Sequence, residues 1–449
     1  MRKEPDSGAA DDVKTLAQVC KGLLHIVRRG RTLEWLRSHH EKALATPRHR
    51  ALLYGVTRHY FALQKKVSAY LTKPLRSKDQ DLHMLLLVGA YQLLHSEKPA
   101  HASVNGAVTA CSVLGKPWAR GLVNGVLRQL HRDLNANPQP QTVGDNNPKW
   151  LVDKISAQYN EFGSNILRAM DERAPMVLRV NTTQTNTTRY RQLLDQQGVT
   201  YRPCAIENAL VLDTPRNSAS LPGWQAGHVA VQELAAQCAV QLLLSRLPED
   251  LHNPIVLDAC CAPGGKLFQL HEGLSERYSQ HRLIGNDQSA SRLADTQKIG
   301  ERLGHRDDPR MYLQCGDATD SETASELCCD AILLDAPCSG SGTIRRNPDI
   351  RVLLQPEQIS AQQSLQLLML NNLWRSLRQG GTLLYSTCSV FDEENDQVIQ
   401  QFVSDNGDAV VIPIQLPYGQ ATQFGWRMLP TEPLTDGFYY ATIRKAAER

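Results

Sequence analysis

The stretch IVLDACCAPGGK, residues 255–266, has the pattern of a buried strand, a tight turn and the start of a helix. Helical patterns lie between most of the further strand candidates, and this alternation predicts a mostly parallel, doubly wound α/β sheet. Such sheets bind ligands beyond the carboxyl ends of their strands, so we expect functional residues there. The further strand candidates are RLIGND (282–287), MYLQC (311–315), AILLDAP (331–337) and GTLLYSTC (381–388).

Acidic residues stand at these strand ends. Asp258, Asp287 and Asp335 end three of the strands, and Asp317 follows a fourth. An acid at Asp287, 22 residues beyond Gly265, can hydrogen-bond both ribose hydroxyls of an adenosine-containing cofactor. Asp317 stands where an acid can face the adenine. One such acid is usually a solvated loop residue, whereas a series on successive strands indicates a cofactor site.

The turn after the first strand contains two consecutive glycines, Gly264 and Gly265, which permit close approach of the backbone to a ligand. The turn does not match the GxGxxG dinucleotide pattern. It is not a Walker loop either, because Leu267 rather than Ser or Thr follows Lys266. These departures argue against a nicotinamide-dependent oxidoreductase and against binding of a pyrophosphate by this turn.

Two cysteines stand at the ends of two strands of the same sheet. Cys338 lies in APCSGSG, and Cys388 lies in LLYSTCSV. Either one alone reads as a small buried residue, but their joint position favours a nucleophilic thiol. Such a thiol needs access and a lowered pKa, which Lys266, Arg345 and Arg346 could supply. The residues by themselves do not decide which cysteine is the nucleophile.

The composition of the 449-residue chain is that of a soluble globular protein, with 41% hydrophobic and 21% charged residues. It has no apolar run of transmembrane length, and MRKEPDSGAADDVK at its start lacks the apolar core of a signal peptide. We therefore expect a cytoplasmic protein. The eleven cysteines are expected to be free thiols there. The adjacent pairs in ACCAP and LCCDA lack CxxC spacing, so we expect no metal site.

Charge is distributed unevenly along the chain. Residues 1–140 contain 22 Lys and Arg against 10 Asp and Glu, whereas the remainder contains 27 against 36. A basic front part on an acidic body indicates a polyanionic partner, although a solvated basic surface is the alternative. Helical periodicity runs over residues 11–132, and Arg28, Arg29 and Arg31 at one helix end could bind phosphates. NANPQPQTVGDNNP, residues 135–148, has the composition of a linker.

Three motifs resemble those of RNA 5-methylcytosine methyltransferases of the NOL/NOP2/Sun family: DACCAPGGK, LLDAPCSGSGTIRRNPDI and LLYSTCSV. DGFYYATIRK resembles the closing strand of that family, and VLRVNTT and VQELAAQ resemble the module before its catalytic domain. PAHASVNGAVTACSVLG and ARGLVNGVLRQL are similar to NusB-like RNA-binding helical domains. This domain order is that of the bacterial RsmB (Sun) type, which modifies small-subunit ribosomal RNA, and the resemblance spans nearly the whole chain.

With this resemblance, the chain is expected to be multidomain. We predict an all-α NusB-like RNA-binding domain over residues 1–140, a linker over 141–147 and a small α/β adaptor module over 148–230. A C-terminal α/β Rossmann-like (doubly wound) methyltransferase domain is predicted over 231–449. The implied activity is transfer of a methyl group from S-adenosylmethionine to carbon 5 of a specific cytosine in 16S ribosomal RNA, through a covalent cysteine–cytosine intermediate. The implied partner is this RNA, with no membrane and no metal, and the expected oligomeric state is a monomer.

The resemblance also implies roles for individual residues. Cys388 would be the nucleophile, Cys338 would assist product release, and Asp335 would orient the cytosine. Arg28, Arg29, Arg31, Arg345 and Arg346 are the candidate RNA-binding residues. The residues expected to bind S-adenosylmethionine are Cys260, Cys261, Ala262, Pro263, Gly264, Gly265, Lys266, Asp287, Asp317 and Asp335.

The motifs depart from the family pattern at three positions. Cys261 stands where alanine is usual, Leu267 where threonine is frequent, and Glu233 where aspartate is usual. These departures bear on local cofactor contacts more than on the class of reaction.

Two rival functions share parts of this pattern. DNA cytosine methyltransferases also place a Pro-Cys nucleophile on a related sheet, but here a second strand ends in STC and a basic helical part precedes the sheet, which favours RNA. A non-enzymatic RNA-binding assembly factor with an inactive methyltransferase fold would be indicated by loss of Cys388 or Asp335. Both residues are present.

Overall fold

Helices form the first part of the chain, as the helical periodicity predicts. The computed structural model describes residues 7–137, 142–306, 308–320 and 327–446, so residue 141 of the predicted linker, and residues 138–140 before it, lie outside the described residues. Thr32 and Thr46 cap two helices by accepting hydrogen bonds from the amides of Trp35 and His49. The helices are α1 Ser7–Arg29, α2 Leu33–His39, α3 Pro47–Arg58, α4 Tyr60–Ser68, α5 Gln80–His95, α6 Ala100–Val113, α7 Arg120–Ala136, α8 Lys149–Tyr159 and α9 Gly163–Ala169.

The chain divides into two compact units. The first comprises Met1–Glu172 together with Ile344–Gln355, and the second comprises Arg173–Thr343 together with Pro356–Arg449. In the first unit α5 is the central helix, because apolar residues surround it and its middle turns are buried. The predicted domain boundaries at residues 140, 147 and 230 remain predictions. The two units are defined by which residues pack together, and one of them combines segments that are far apart in the sequence.

The segment Ile344–Gln355 is fixed in the first unit by buried polar contacts. The Arg351 guanidinium, which is fully buried, donates to Asp171 Oδ1 at 2.7 Å and to the carbonyl oxygens of Met170 at 2.6 Å and Arg58 at 2.8 Å. The segment Ile344–Gln355 contains the short helix α14 (Ile350–Leu353). Motif residues Arg345 and Arg346 therefore belong to the helical unit although they follow Cys338 closely in sequence.

The second unit begins with a small α/β module, the kind of module that the sequence predicts before the methyltransferase domain. Its antiparallel sheet has the strand order β2-β3-β1-β4 and packs against α10 through Leu178, Val180, Leu194 and Leu210. The elements are β1 Met176–Val180, α10 Thr187–Gln196, β2 Tyr201–Pro203, β3 Ala209–Leu212 and β4 Val229–Val231.

A larger mixed sheet carries the strands predicted from IVLDACCAPGGK onward. Its order is β11-β12-β13-β9-β8-β5-β6-β7, with β10 paired to β13. The run β9-β8-β5-β6-β7 is parallel, whereas β10 to β13 pair antiparallel in the described residues. The strands are β5 Ile255–Asp258, β6 Arg282–Asp287, β7 Met311–Cys315, β8 Cys329–Asp335, β9 Leu377–Thr387, β10 Ala409–Ile412, β11 Gln420–Ala421, β12 Trp426–Met428 and β13 Phe438–Lys445.

Helices cover both faces of this sheet, as a buried parallel sheet requires. Consecutive residues of β5 show this, because Val256 packs into one apolar cluster and Leu257, on the opposite face, into another. The fold class prediction is therefore confirmed, with an antiparallel extension at one side of the parallel strands. None of the helices in the described residues has both the length and the apolar composition needed to cross a bilayer. The covering helices are α11 Leu234–Leu244, α12 Gly265–Arg277, α13 Ala290–Leu303, α15 Pro356–Arg375 and α16 Asp396–Asp405.

Candidate active site

The parallel register brings the predicted strand-end residues to one edge of the large sheet. Asp335 at the end of β8 is the register partner of Ser386 in β9, and Asp287 at the end of β6 is the partner of Cys315. Asp258 ends β5, which lies between β6 and β8. Because these strands run in the same direction, their side chains meet at the carboxyl edge.

Gly264 makes the turn after β5 possible. It has φ +99°, a left-handed conformation, and it precedes the first residue of α12. A Cβ at this position would lie 2.5 Å from Phe268 and 2.9 Å from the Thr296 methyl group, so a larger residue would clash. The Cys261 amide donates to the Asn286 carbonyl oxygen at 2.8 Å. The turn is therefore held against β6 at the strand edge.

Asp287 is buried beside this turn. Its Oδ2 accepts a hydrogen bond from the Ala262 amide at 3.3 Å and faces Arg292 Nη1 at 3.3 Å, and its Oδ1 accepts from the Ser289 amide at 2.9 Å. Asp317, by contrast, is exposed and accepts hydrogen bonds from the amide and hydroxyl of Thr319. Asp287 is the more rigidly positioned of the two acids.

Asp258 has an unusual environment for a carboxyl group. It is 1% exposed, and within the described residues neither of its oxygens accepts a hydrogen bond of normal geometry. Burial and the negative charge of Asp335 raise the pKa of Asp258 to about 8, and Lys266 opposes this shift. A buried acceptor without a donor is costly, so this carboxyl group is suited to a ligand that brings a donor or a positive charge.

Asp335 is held from two sides. Lys266 Nζ lies 2.6 Å from its Oδ2, and the Ser386 hydroxyl donates to its Oδ1 at 2.8 Å. About a third of the Asp335 side chain, 31%, remains exposed. This carboxylate is therefore oriented but still accessible to a ligand at the strand edge.

The two motif cysteines lie side by side. The Sγ atoms of Cys338 and Cys388 are 3.4 Å apart, although fifty residues separate them in sequence. The hydrogen bond with Cys388, followed by burial, raises the pKa of the Cys338 thiol well above its usual value. The two thiols are therefore not equivalent, because Cys338 is stabilised in its protonated form.

The other cysteines at this edge have a different character. Burial, followed by the charge of Asp258, raises the pKa of both Cys260 and Cys261. Both are therefore held as neutral thiols, which suits packing against the turn rather than nucleophilic attack.

Sequence reasoning missed Glu394, which follows β9 and is fully buried. Its Oε1 accepts a hydrogen bond from the Ser339 amide at 2.7 Å, and its Oε2 accepts from the hydroxyls of Ser339 and Ser389, each at 2.5 Å. Ser339 adjoins Cys338, and Ser389 adjoins Cys388. The acidic run DEE before Asn395 was the only sequence signal, and nothing in it distinguishes Glu394 from its two neighbours.

The predicted RNA-binding arginines all lie in the first unit. Arg28, Arg29 and Arg31 are exposed around the end of α1, and the Arg31 guanidinium lies 5.1 Å from the Trp35 ring centre. Arg345 is 2% exposed, whereas Arg346 is partly exposed. An RNA-binding role remains a prediction for all five, and its physical basis is weaker for Arg345 because its side chain is buried.

Comparison with known proteins gives three family matches along the chain. Residues 244–444 match the model "16S rRNA methyltransferase RsmB/F", residues 27–132 match the NusB family, and residues 147–219 match the RsmF/B-like ferredoxin-like domain. These matches confirm the predicted NusB-like helical part and the methyltransferase domain. They also identify the small α/β module as ferredoxin-like.

Similar proteins extend over most of the chain. The ribosomal RNA small subunit methyltransferase B of Pasteurella multocida is 37% identical and covers 96% of each chain. The probable enzyme of that name from Coxiella burnetii is 37% identical and covers 88% of this chain and 91% of its own. The crystal structure titled PH0851 has the same fold, with a TM-score of 0.79 at 23% identity over 97% of this chain and 98% of that one. The chain therefore belongs to the ribosomal RNA small subunit methyltransferase B family.

Proposed function

We propose that this protein transfers a methyl group from S-adenosylmethionine to carbon 5 of a cytosine in small-subunit (16S) ribosomal RNA. The observation that carries the proposal is the pair of thiols 3.4 Å apart beyond the ends of β8 and β9. The names of the relatives support ribosomal RNA as the substrate. The site of action is expected to be the cytoplasm, and the expected oligomeric state is a monomer.

The residues at the strand edge fit S-adenosylmethionine. The cofactor supplies an electrophilic methyl group on a sulfonium. Asp287 would accept hydrogen bonds from its ribose hydroxyls, and the backbone of the turn Cys260–Lys266 would line its binding site. The orphaned carboxyl group of Asp258 suits the positively charged end of such a ligand. Asp317 would face the adenine.

Cytosine needs activation before it can accept a methyl group, because its carbon 5 is a poor nucleophile. A thiolate that adds to carbon 6 pushes an electron pair to carbon 5, which then takes the methyl group. This is covalent catalysis, in which one difficult step is divided into easier ones. The base must first leave its stack so that carbon 6 is exposed. Asp335, held by Lys266 and Ser386, would accept a hydrogen bond from the exocyclic amine of the cytosine.

Cys388 is the proposed nucleophile and Cys338 the group that assists release. The pKa of Cys338 is raised, first by its hydrogen bond with Cys388, so Cys338 keeps its proton while Cys388 attacks. Once the Cys388 sulfur is bonded to carbon 6, that hydrogen bond is lost and the pKa of Cys338 falls. Cys338 then gives its own proton to solvent and, as a thiolate, accepts the carbon 5 proton. The electron pair of the broken carbon 5–hydrogen bond forms the double bond between carbons 5 and 6, and the Cys388 sulfur leaves as a thiolate.

Single-cysteine variants test this assignment. Cys388→Ala should bind cofactor and RNA but transfer no methyl group. Cys338→Ala should attack and methylate once and then stall, because the carbon 5 proton is not removed. The stalled protein–RNA complex should survive a denaturing gel, disappear on nuclease treatment and be absent from the Cys338→Ala, Cys388→Ala double variant. An adduct in Cys388→Ala but not in Cys338→Ala would reverse the two roles.

The class of reaction has its own test. Tritium from labelled S-adenosylmethionine should enter 16S RNA and be recovered as 5-methylcytidine on nucleoside analysis. Recovery of the label in methyladenosine would overturn the proposed reaction.

A further inference from the structure

We infer that Glu394 is a positioning residue that sets the distance between the two thiols, an inference that rests on the proposed function. It is a single buried side chain that contacts both cysteine-bearing loops. Oε1 accepts from the Ser339 amide, and Oε2 accepts from the hydroxyls of Ser339 and Ser389. Each serine is the chain neighbour of one cysteine, so a shift of Glu394 moves both sulfurs.

In every hydrogen bond of this carboxyl group the partner is the donor, so a carboxylate can accept all of them. Gln366 Nε2 adds a fourth donor, 3.4 Å from Oε1. Burial raises the pKa of Glu394, and the hydrogen bonds from Ser339 and Ser389 oppose that shift. The charge of Glu394 and the positions of the two cysteine-bearing loops therefore depend on each other. The donors on the loops stabilise the carboxylate, and the carboxylate holds those donors in place.

Other contacts between the two loops do not involve Glu394. The Gly342 amide donates to the Cys388 carbonyl oxygen at 2.9 Å, and the Val390 amide donates to the Ser341 hydroxyl at 3.0 Å. Removing the carboxyl group should thus leave the loops joined and the protein folded, but should loosen the two residues next to the sulfurs. A loss of function in such a variant would come from position rather than from unfolding.

The proposed chemistry makes this position important. Cys388 acts on carbon 6 and Cys338 acts on carbon 5, two bonded atoms of one ring. A displacement of about 1 Å from the productive geometry can cost about 10²-fold in rate. We therefore expect the two thiols to need a common support. Glu394 hydrogen-bonds to the neighbours of both from outside the two loops, whereas Ser341, which also contacts both neighbours, belongs to the Cys338 loop.

The distance between the thiols can be measured without RNA. Diamide oxidises two adjacent thiols, which lose two hydrogens to its diazene as one S–S bond forms. Wild-type protein and Glu357→Gln, a control at an exposed acid, should form the Cys338–Cys388 disulfide at equal rates. Mass spectrometry of the peptides measures how much disulfide has formed at each time. Glu394→Ala should form it at least tenfold more slowly. The isosteric Glu394→Gln should be intermediate, because the two serine hydroxyls can rotate to accept from the amide group.

Single-turnover methyl transfer provides the second measurement. At saturating S-adenosylmethionine, Glu394→Ala should lose about 10²-fold in rate, with an unchanged cofactor Kd and an unchanged near-ultraviolet circular dichroism spectrum. Wild-type disulfide and transfer rates in Glu394→Ala, or in Glu394→Gln if the alanine variant does not fold, would overturn the inference. Failure of the proposed function would instead show as no RNA adduct in Cys338→Ala, while the disulfide rates would still test the role of Glu394.

Discussion

Lys266 and Asp335 form an ion pair that joins the helix after β5 to the end of β8, with Nζ 2.6 Å from Oδ2. Burial alone would lower the pKa of Lys266, but the charge of Asp335 and its hydrogen bond outweigh burial and raise it. Asp335 therefore fixes the position of Lys266 and favours its charged form.

Asp335→Ala should lower both stability and methyl transfer. Loss of one partner of a buried ion pair costs about 3–5 kcal/mol, and the partial exposure of Asp335 reduces the expected cost to about 1–3 kcal/mol. Urea unfolding measures this cost. The double variant Asp335→Ala, Lys266→Met should be more stable than the sum of the two single effects predicts, because no uncompensated charge remains. Strict additivity would show that the pair does not contribute to stability.

Asp287→Ala should weaken cofactor binding by one to three orders of magnitude. Each charge-assisted hydrogen bond to the ribose contributes about 1.5–3 kcal/mol, and about 1.4 kcal/mol corresponds to a factor of ten. Isothermal titration calorimetry gives the Kd. Asp295→Ala, on the exposed side of α13, is the matched control and should bind as wild type does. Wild-type affinity in Asp287→Ala would remove this residue from the proposed site.

The stability of the protein should depend on pH through Asp258. Its pKa is about 8 in the folded protein against an ordinary value of 3.8, so between these values the folded state binds more protons than the unfolded state. The free energy of unfolding should therefore fall as pH rises through this window, by at most about 1.4 kcal/mol per pH unit. Asp258→Asn should reduce this slope in urea unfolding from pH 5 to 8.5. Equal slopes in the two proteins would contradict the shifted pKa.

Replacing Arg28, Arg29 and Arg31 together by alanine should weaken RNA binding. Each lost phosphate contact reduces the slope of log K against log salt by about 0.7–0.9, so three contacts give a change of roughly two to three. Filter binding at several salt concentrations measures the slope, and calorimetry should show an unchanged cofactor Kd. Lys149→Ala, another exposed cation of the same unit, is the control. An unchanged slope in the triple variant would assign RNA binding to other residues.

The strand predictions succeeded where local pattern fixes the strand limits. The strands at 282–287 and 311–315 agree with β6 and β7 in both limits. β9 begins at Leu377, four residues before the predicted start, because Gly380 with φ +75° and Gly381 read as a turn but lie within the strand. β8 ends at Asp335 rather than at Pro337, since the residues beyond Asp335 turn away toward Cys338.

The sequence by itself determined the order of the domains, the alternation of strands and helices, and the placement of acids and thiols at strand ends. These follow from local patterns of apolar residues, glycines and motif residues. The contact between Cys338 and Cys388 needed the tertiary structure, because the register that pairs Asp335 with Ser386 decides which residues meet across fifty positions. The same holds for Glu394, which differs from its acidic neighbours only in being buried against two loops, and for Arg351, whose burial fixes a motif segment in the helical unit. Burial and long-range hydrogen bonding arise only when distant segments pack together, and no local pattern of residues contains them.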